Sequence, residues 1–332
     1  MKKILQVFVM SALFLYCLWV FVDLVSQNKG VLESLQQDLM TLTPVLAGCF
    51  LAFALSMVIR SHRWIKLLNN QHSFGLSFRS IAIGYLVQCP LSKLGEVARV
   101  GNYKKNSSTS LPTLLSTIFI DRLLDMFALI SIIIYCLFIS SDLIETNFPQ
   151  FSSILPKLGA FLLVATLGSI FLLVFKSKLE LFVEKQSYLP EKSKHFILNF
   201  LSKFTEGFQH SKSKSDILYL ILSTIFIWFL YFIAFFLVVY FYPHIPNDIT
   251  LNEVWLLFCI ATIGVLIPVP GGMAYPLFMQ KGMEVIWPEV SSVHVISLAT
   301  ITYLFNFWAV NILIGGGSIL YQLIQPKTEE LA

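Results

Sequence analysis

Three charged residues stand close together inside a strongly apolar stretch of the sequence. Asp121, Arg122 and Asp125 lie in the run 114–139, and at 100° per residue they share about one third of a helix circumference. An ionised side chain in hydrocarbon costs about 3 kcal/mol even on lenient insertion scales, so such residues line a cavity or pair with one another. Either Arg122 contacts an anion or a lipid headgroup while the carboxylates orient it, or the three groups neutralise each other and fix helix packing.

A second pair of charges follows a short apolar stretch that ends at Pro90. Glu96 and Arg99 are three residues apart and so share one face of a helix, and Gly95 lets another backbone approach closely. Arg99 is placed to bind a phosphate from the cytoplasmic leaflet, with Glu96 holding it or binding a cationic group. The alternative is a surface ion pair of little energetic consequence.

The sequence offers little for enzymatic chemistry. Its six histidines form no metalloprotease motif, its five cysteines each stand alone in apolar segments, and nucleophile-elbow and phosphate-loop patterns are missing. We therefore predict no catalytic residue, no metal site and no cofactor, and we do not expect an enzyme.

The composition defines the environment in which these residues must work. Of 332 residues 56% are hydrophobic and 13% charged, and there are 30 phenylalanines, far from the balance of a soluble domain. Lipid must be the solvent for most of the chain. The net charge of +4 does not indicate nucleic acid, because the basic residues fall mainly between the apolar runs, where they orient a membrane protein.

The apolar runs predict an all-α polytopic membrane protein, a single membrane domain over residues 1–332. Crossing about 30 Å of hydrocarbon takes about 20 helical residues. We expect the first run to be a retained span, since no cleavage pattern of small residues follows it. Six runs are long enough to cross: 4–25, 42–59, 114–139, 158–175, 217–241 and 293–324.

Two further apolar stretches predict broken, re-entrant helices. Residues 81–91 contain Gly84 and Pro90, and residues 254–279 contain the sequence Pro268-Val-Pro-Gly-Gly272. Opposed broken helices of this kind line a cavity in transporters, although proline and glycine also kink ordinary spans.

The distribution of Lys and Arg gives the orientation. With both termini in the cytoplasm, one broken helix enters from each face and most of the 23 basic residues lie on the cytoplasmic side. The opposite side then receives only Lys29, Lys157 and Lys281. The loop 176–216 interleaves lysines with apolar residues, which favours amphipathic helices on anionic membrane lipids or, alternatively, a solvated connector.

Four motifs follow one another along the sequence: Arg63-Trp64 with Leu67-Leu68, Pro90 with Gly95-Glu96-x-x-Arg99, Asp121-Arg122-x-x-Asp125 and Pro268-x-Pro270-Gly271-Gly272. In this order they resemble the transmembrane region of lysylphosphatidylglycerol synthases, a group also described as flippase-like membrane proteins. The resemblance implies that the chain binds or moves a phospholipid or lipid-linked headgroup across a bacterial inner membrane.

The predicted substrate site combines these motifs with one polar residue of the last span, Asn306. The family pattern places an acidic residue soon after the glycine pair, where this chain has Met273 to Leu277. Because that carboxylate is missing, we expect a polar cavity that is not specific for one particular headgroup. The alternative function is a non-catalytic membrane subunit that holds an envelope glycosyltransferase or a lipid-modifying enzyme. The predicted site residues are Arg63, Pro90, Gly95, Glu96, Arg99, Asp121, Arg122, Asp125, Pro268, Pro270, Gly271, Gly272 and Asn306.

Overall fold

The computed structural model is built from helices wherever it describes regular structure. Three of its helices, Val31–Leu67, Ser215–Tyr240 and Ser292–Ile324, are long and apolar enough to cross a membrane. The predicted span 4–25 lies almost wholly outside the described residues, and the predicted span 158–175 is described only at scattered positions. These residues are 30–68, 73–91, 94–139, 175–186, 214–267 and 269–324, with isolated positions at 19, 23 and 26, within 145–168 and within 190–198.

The first long helix, α1, spans Val31–Leu67 and extends beyond the predicted span 42–59 at both ends. It begins directly after Gly30, whose φ of 95° lies in the left-handed region that favours glycine. Its 37 residues make it about 55 Å long, which exceeds the hydrocarbon thickness of a membrane of about 30 Å. This length separates two groups of polar residues, one near each end.

A helical hairpin, hairpin 1, follows α1. Helix α2 (Phe74–Gln88) and helix α3 (Gly95–Lys105) pack side by side. The prediction that Gly84 breaks the helix was wrong, because α2 runs through it without interruption. Gly84 instead permits close packing: a Cβ there would lie 2.9 Å from the carbonyl oxygen of Gly95.

Three helices of the described ranges lie between hairpin 1 and a second helical hairpin, hairpin 2. Helix α4 covers Leu111–Ile139, close to the predicted span, and a short helix α5 covers Lys176–Lys185. Helix α6 covers Lys214–Tyr240 and packs extensively on α1.

Hairpin 2 consists of α7 (Leu251–Leu266), a single 3₁₀ turn at Pro270–Gly272, and α8 (Ala274–Ile286). Thr250 and Glu253 form a capping box that fixes the start of α7. The turn uses two glycines with positive φ, 74° at Gly271 and 67° at Gly272. The predicted break is therefore present, while Pro268 lies outside the described residues.

The last predicted span, 293–324, is one helical rod with an irregular middle. Helix α9 (Ser292–Tyr303) passes into a π-helical segment (Leu304–Ala309) and then into α10 (Val310–Ile324). Segments of π-helix are rare and occur frequently at functional sites.

Both hairpin tips meet this segment at Phe307. The Cys89 thiol of hairpin 1 donates to the Phe307 carbonyl oxygen at 2.6 Å, and Gly272 of hairpin 2 packs on the Phe307 ring. Gly315 of α10 continues the contact, since a Cβ there would lie 2.6 Å from the Leu86 Cβ on α2.

The order of elements repeats. A long helix, a helical hairpin and a second long helix occur first as α1 to α4 and again as α6 to α10. The hairpins thus occupy equivalent places in the two halves of the described chain.

Replacing Gly272 by Ala is expected to destabilise the protein by about 2 kcal/mol, because a side chain at positive φ is strained and its Cβ would lie 2.7 Å from the Phe307 ring. Thermal denaturation of the detergent-solubilised protein measures the loss. The matched control is Gly30→Ala, which has the same type of backbone strain but no atom within 4 Å of the added Cβ. Equal losses in the two variants would contradict a packing role for Gly272.

Candidate functional site

A group of seven charged side chains, most of them buried and here called the charged cluster, joins three helices. Helix α1 contributes two residues one turn apart on a single face, α3 contributes two, and α4 contributes three. The members are Arg60, Arg63, Glu96, Arg99, Asp121, Arg122 and Asp125.

Asp121 lies at the centre of the charged cluster and is completely buried. One of its carboxylate oxygens accepts from Arg63 Nη2 at 2.6 Å, and the other accepts from Arg99 Nη1 at 2.9 Å and from Arg60 Nη1 at 3.4 Å. A single carboxylate therefore holds guanidinium groups from α1 and α3 against α4.

Asp125, one turn further along α4, completes the inner part. It accepts from Arg60 Nη1 at 2.8 Å, from Arg63 Nη2 at 3.1 Å and from Arg122 Nη1 at 3.2 Å. The alternative that the three charges of α4 neutralise one another holds only for the pair of Arg122 with Asp125, since the other partners of both carboxylates come from α1 and α3.

Arg122 and Glu96 form the accessible edge of the charged cluster. Their side chains are 39% and 33% exposed and form an ion pair between α4 and α3. Arg99, in contrast, is buried, and its Nη1 lies 3.7 Å from Glu96 Oε2. Because Arg99 is not at the surface, these two residues do not form a surface ion pair.

Aromatic and hydroxyl side chains contact the arginines and fix their positions. The Arg99 guanidinium lies 3.9 Å from the centre of the Trp64 ring, a cation–π contact that is strong in a desolvated site. Trp64 is fixed in turn by donating its indole N–H to Thr117 at 3.0 Å. Arg63 donates to Thr224 of α6 at 2.6 Å, which ties the second half of the chain to the site.

The charged cluster carries more positive than negative charge among the residues described. Four guanidinium groups face three carboxylates. Several buried guanidinium N–H groups also lack an acceptor within this part of the chain: the Nε of Arg60, Arg63, Arg99 and Arg122, and Nη2 of Arg99. Unpaired buried donors are costly, and an anionic oxygen is the acceptor that satisfies them best.

The structure brings together six of the residues predicted for the site and places the other described ones elsewhere, while Pro268 lies outside the described residues. Gly95 lies where α2 and α3 touch, and Pro90 lies in the exposed turn of hairpin 1. Pro270, Gly271 and Gly272 form the turn of hairpin 2, where the Gly271 oxygen accepts from Tyr303 at 2.7 Å. Asn306 lies half-buried in the π-helical segment.

Sequence reasoning missed Arg60 and Thr224. It also counted Arg60, Arg63 and Arg99 among the basic residues of the cytoplasmic side, and the structure shows that all three are buried in helices. The spacing of Arg60 and Arg63, one helical turn apart beside Trp64, was the available signal. A separate polar group, Asp38 with His244 and His294, was missed as well and is described below.

Long apolar helices, two helical hairpins and a buried charged cluster define a multi-pass α-helical membrane protein with a polar site among its helices. A family model described as lysylphosphatidylglycerol synthase TM region matches residues 4–314, and the chain belongs to this family. The resemblance drawn from the motifs is confirmed, and it relates the chain to membrane proteins that handle lipids. No curated protein and no solved structure shows significant similarity to the chain.

Proposed function

We propose that the charged cluster binds the phosphate of a lipid or lipid-linked headgroup, and that the protein moves this headgroup across a bacterial inner membrane. The observation that carries the proposal is the excess of guanidinium over carboxylate groups in a buried site. Keeping such an excess inside a membrane domain is expensive unless an anion compensates it.

The edge formed by Arg122 and Glu96 supports entry of a headgroup at this point. The Arg122 guanidinium is planar, and it can bind a phosphate through two parallel hydrogen bonds once it releases Glu96. The inner arginines, which hold Asp121 and Asp125, then provide a positive field behind the ligand.

The two hairpins support movement rather than binding alone. Helix α2 has 15 residues, about 22 Å, which is short of the hydrocarbon thickness, and α7 with α8 is broken at a glycine turn. In transporters, discontinuous helices of this kind line the substrate path near the middle of the bilayer. The chain has no nucleotide-binding motif, so the movement we propose is downhill or coupled to an ion.

Helix α5 supports contact with the cytoplasmic leaflet. Leu181 and Phe182 are exposed on a helix that also carries lysines, a combination that favours anionic lipid surfaces. This placement agrees with cytoplasmic termini and with re-entry of the hairpins from opposite faces, both of which belong to the proposal.

Replacing Arg122 by Ala is expected to slow headgroup movement about tenfold or more, because one charge-assisted contact to the ligand is lost. The measurement is the transbilayer movement of a fluorescent phosphatidylglycerol in proteoliposomes, followed by quenching from outside. Arg122→Lys, which keeps the charge but not the fork of donors, is expected to retain part of the rate.

The matched control is Lys281→Ala, which removes an exposed cation from α8 outside the charged cluster. It should move lipid at the rate of the parent protein. A folded Arg122→Ala protein with an unchanged rate would exclude Arg122 from the path. A parent protein that moves no lipid but purifies with one stoichiometric membrane enzyme would favour the subunit function instead.

A further inference from the structure

We propose that Asp38, His244 and His294 form a binding site for a divalent transition-metal ion such as Zn²⁺, here called the outer site. Asp38 is 22 residues from Arg60 on α1, about 33 Å along the helix, so this site is separate from the charged cluster. Its residues come from three segments that are distant in the sequence: α1, the loop after α6 and the start of α9.

The spacing of the three ligand atoms fits one ion. The carboxylate and imidazole atoms all lie within 4.8 Å of one another, and His244 Nε2 is 3.4 Å from Asp38 Oδ1. Two ligands of a tetrahedral zinc ion, each at about 2.0–2.1 Å, stand about 3.3–3.4 Å apart. Two imidazole nitrogens and one carboxylate leave the fourth position to water.

Three hydroxyl groups orient the Asp38 carboxylate for this purpose. Its Oδ2 accepts from Ser297 at 2.6 Å, from Tyr242 at 2.7 Å and from Ser34 at 3.0 Å. The Oδ1 atom faces His244 instead. Carboxylates that bind metal ions are held by this kind of outer hydrogen bond, which fixes one oxygen toward the ion.

The charge balance of Asp38 also calls for a cation. The side chain is 2% exposed, and the ionic partner that the described residues give it is His244, which is charged only when protonated. A buried carboxylate is costly without a compensating positive charge. A divalent ion supplies that charge without requiring a proton on the imidazole.

The two imidazole rings are close together, but they do not yet point to a common metal ion. They stack with centroids 3.5 Å apart and planes 13° from parallel, so one ring must rotate before both nitrogens point to one ion. The His244 side chain is 39% exposed, so it is the ring that we expect to rotate. The mixed nitrogen and oxygen ligands favour Zn²⁺ over Mg²⁺ or Ca²⁺, which prefer oxygen alone.

Zinc binding is expected to raise the melting temperature of the full-length protein by about 5 °C at saturation, because the ion binds only where the three segments are assembled. The protein is purified with a tag that contains no histidine, treated with a chelator and titrated with ZnCl₂. Elemental analysis after removal of free metal should find one zinc per chain.

His244→Ala and His244→Gln are expected to lose both the bound zinc and the temperature shift, while still folding, because His244 lies exposed in a loop. The control is His62→Ala, which removes another exposed histidine near the far end of α1 and should keep both. Zinc binding that persists in both His244 variants would overturn the proposal. So would a parent protein that retains no zinc after removal of free metal and whose melting temperature zinc leaves unchanged.

Discussion

Replacing Asp121 by Ala should destabilise the protein by about 3–5 kcal/mol and greatly reduce the yield of folded protein, because it leaves three buried guanidinium groups without their shared partner. Arg60, Arg63 and Arg99 all donate to this carboxylate. The measurement is thermal denaturation in detergent together with the fraction that elutes as a monodisperse species. Asp121→Asn keeps the shape but not the charge and should recover little of the loss.

Lys281→Ala is the control, because it removes one partner of an exposed ion pair and so separates the effect of burial from the loss of an ion pair. Lys281 forms an ion pair with Glu284 at 2.6 Å, but its side chain is 72% exposed. Such pairs contribute little, so the expected change is within the error of the measurement. If Asp121→Ala were as stable as Lys281→Ala, the charged cluster would not hold the helices together.

Replacing Gly95 by Ala should cost about 3 kcal/mol, because the new Cβ would lie 2.7 Å from the Gly84 carbonyl oxygen and 2.8 Å from the Gln88 Cβ. A backbone oxygen cannot turn aside as a flexible side chain can. Helices α2 and α3 must therefore separate, and α3 carries both Glu96 and Arg99 away from the charged cluster. The variant should lose stability and lipid movement together.

The same helix offers the control. Gly101 also lies in α3, but a Cβ there meets no atom within 4 Å. Alanine is a better helix former than glycine by up to about 1 kcal/mol, so Gly101→Ala should be neutral or slightly stabilising. Equal behaviour of the two alanine variants would argue against the close contact between α2 and α3.

The centre of the site could be predicted because charges in an apolar run are costly and therefore carry information. Asp121 and Asp125 were identified in this way and Arg99 by its spacing from Glu96, whereas the family motifs added Arg63. Arg60 was missed because a positive charge near a helix end also fits the cytoplasmic side of a membrane. Only the packing of α1 against α4 distinguishes the two placements.

The breaks in the hairpins were predictable in part. Two consecutive glycines after a proline marked the turn of hairpin 2, where positive φ is required. Gly84 was misinterpreted because a glycine that ends a helix and one that permits a close helix contact look alike in a single sequence. The contact with Gly95 decides between them.

The outer site could not be predicted from spacing. Ser34 and His294, whose side chains are 3.2 Å apart, are 260 positions apart in the sequence. No local motif records such a pairing, since it depends on how α1 and α9 pack. Histidines near the ends of helices are also common at membrane interfaces, which hides their role.

Phe307 contacts the tips of both hairpins. Its carbonyl oxygen accepts from the thiol at one tip and its ring fills the space above the glycine turn of the other. A tip that withdraws must break its contact with this residue, and the loosened residue then supports the opposite tip less well. The two hairpins therefore share one contact residue, so withdrawal of either tip requires a change at the same position of the π-helical segment.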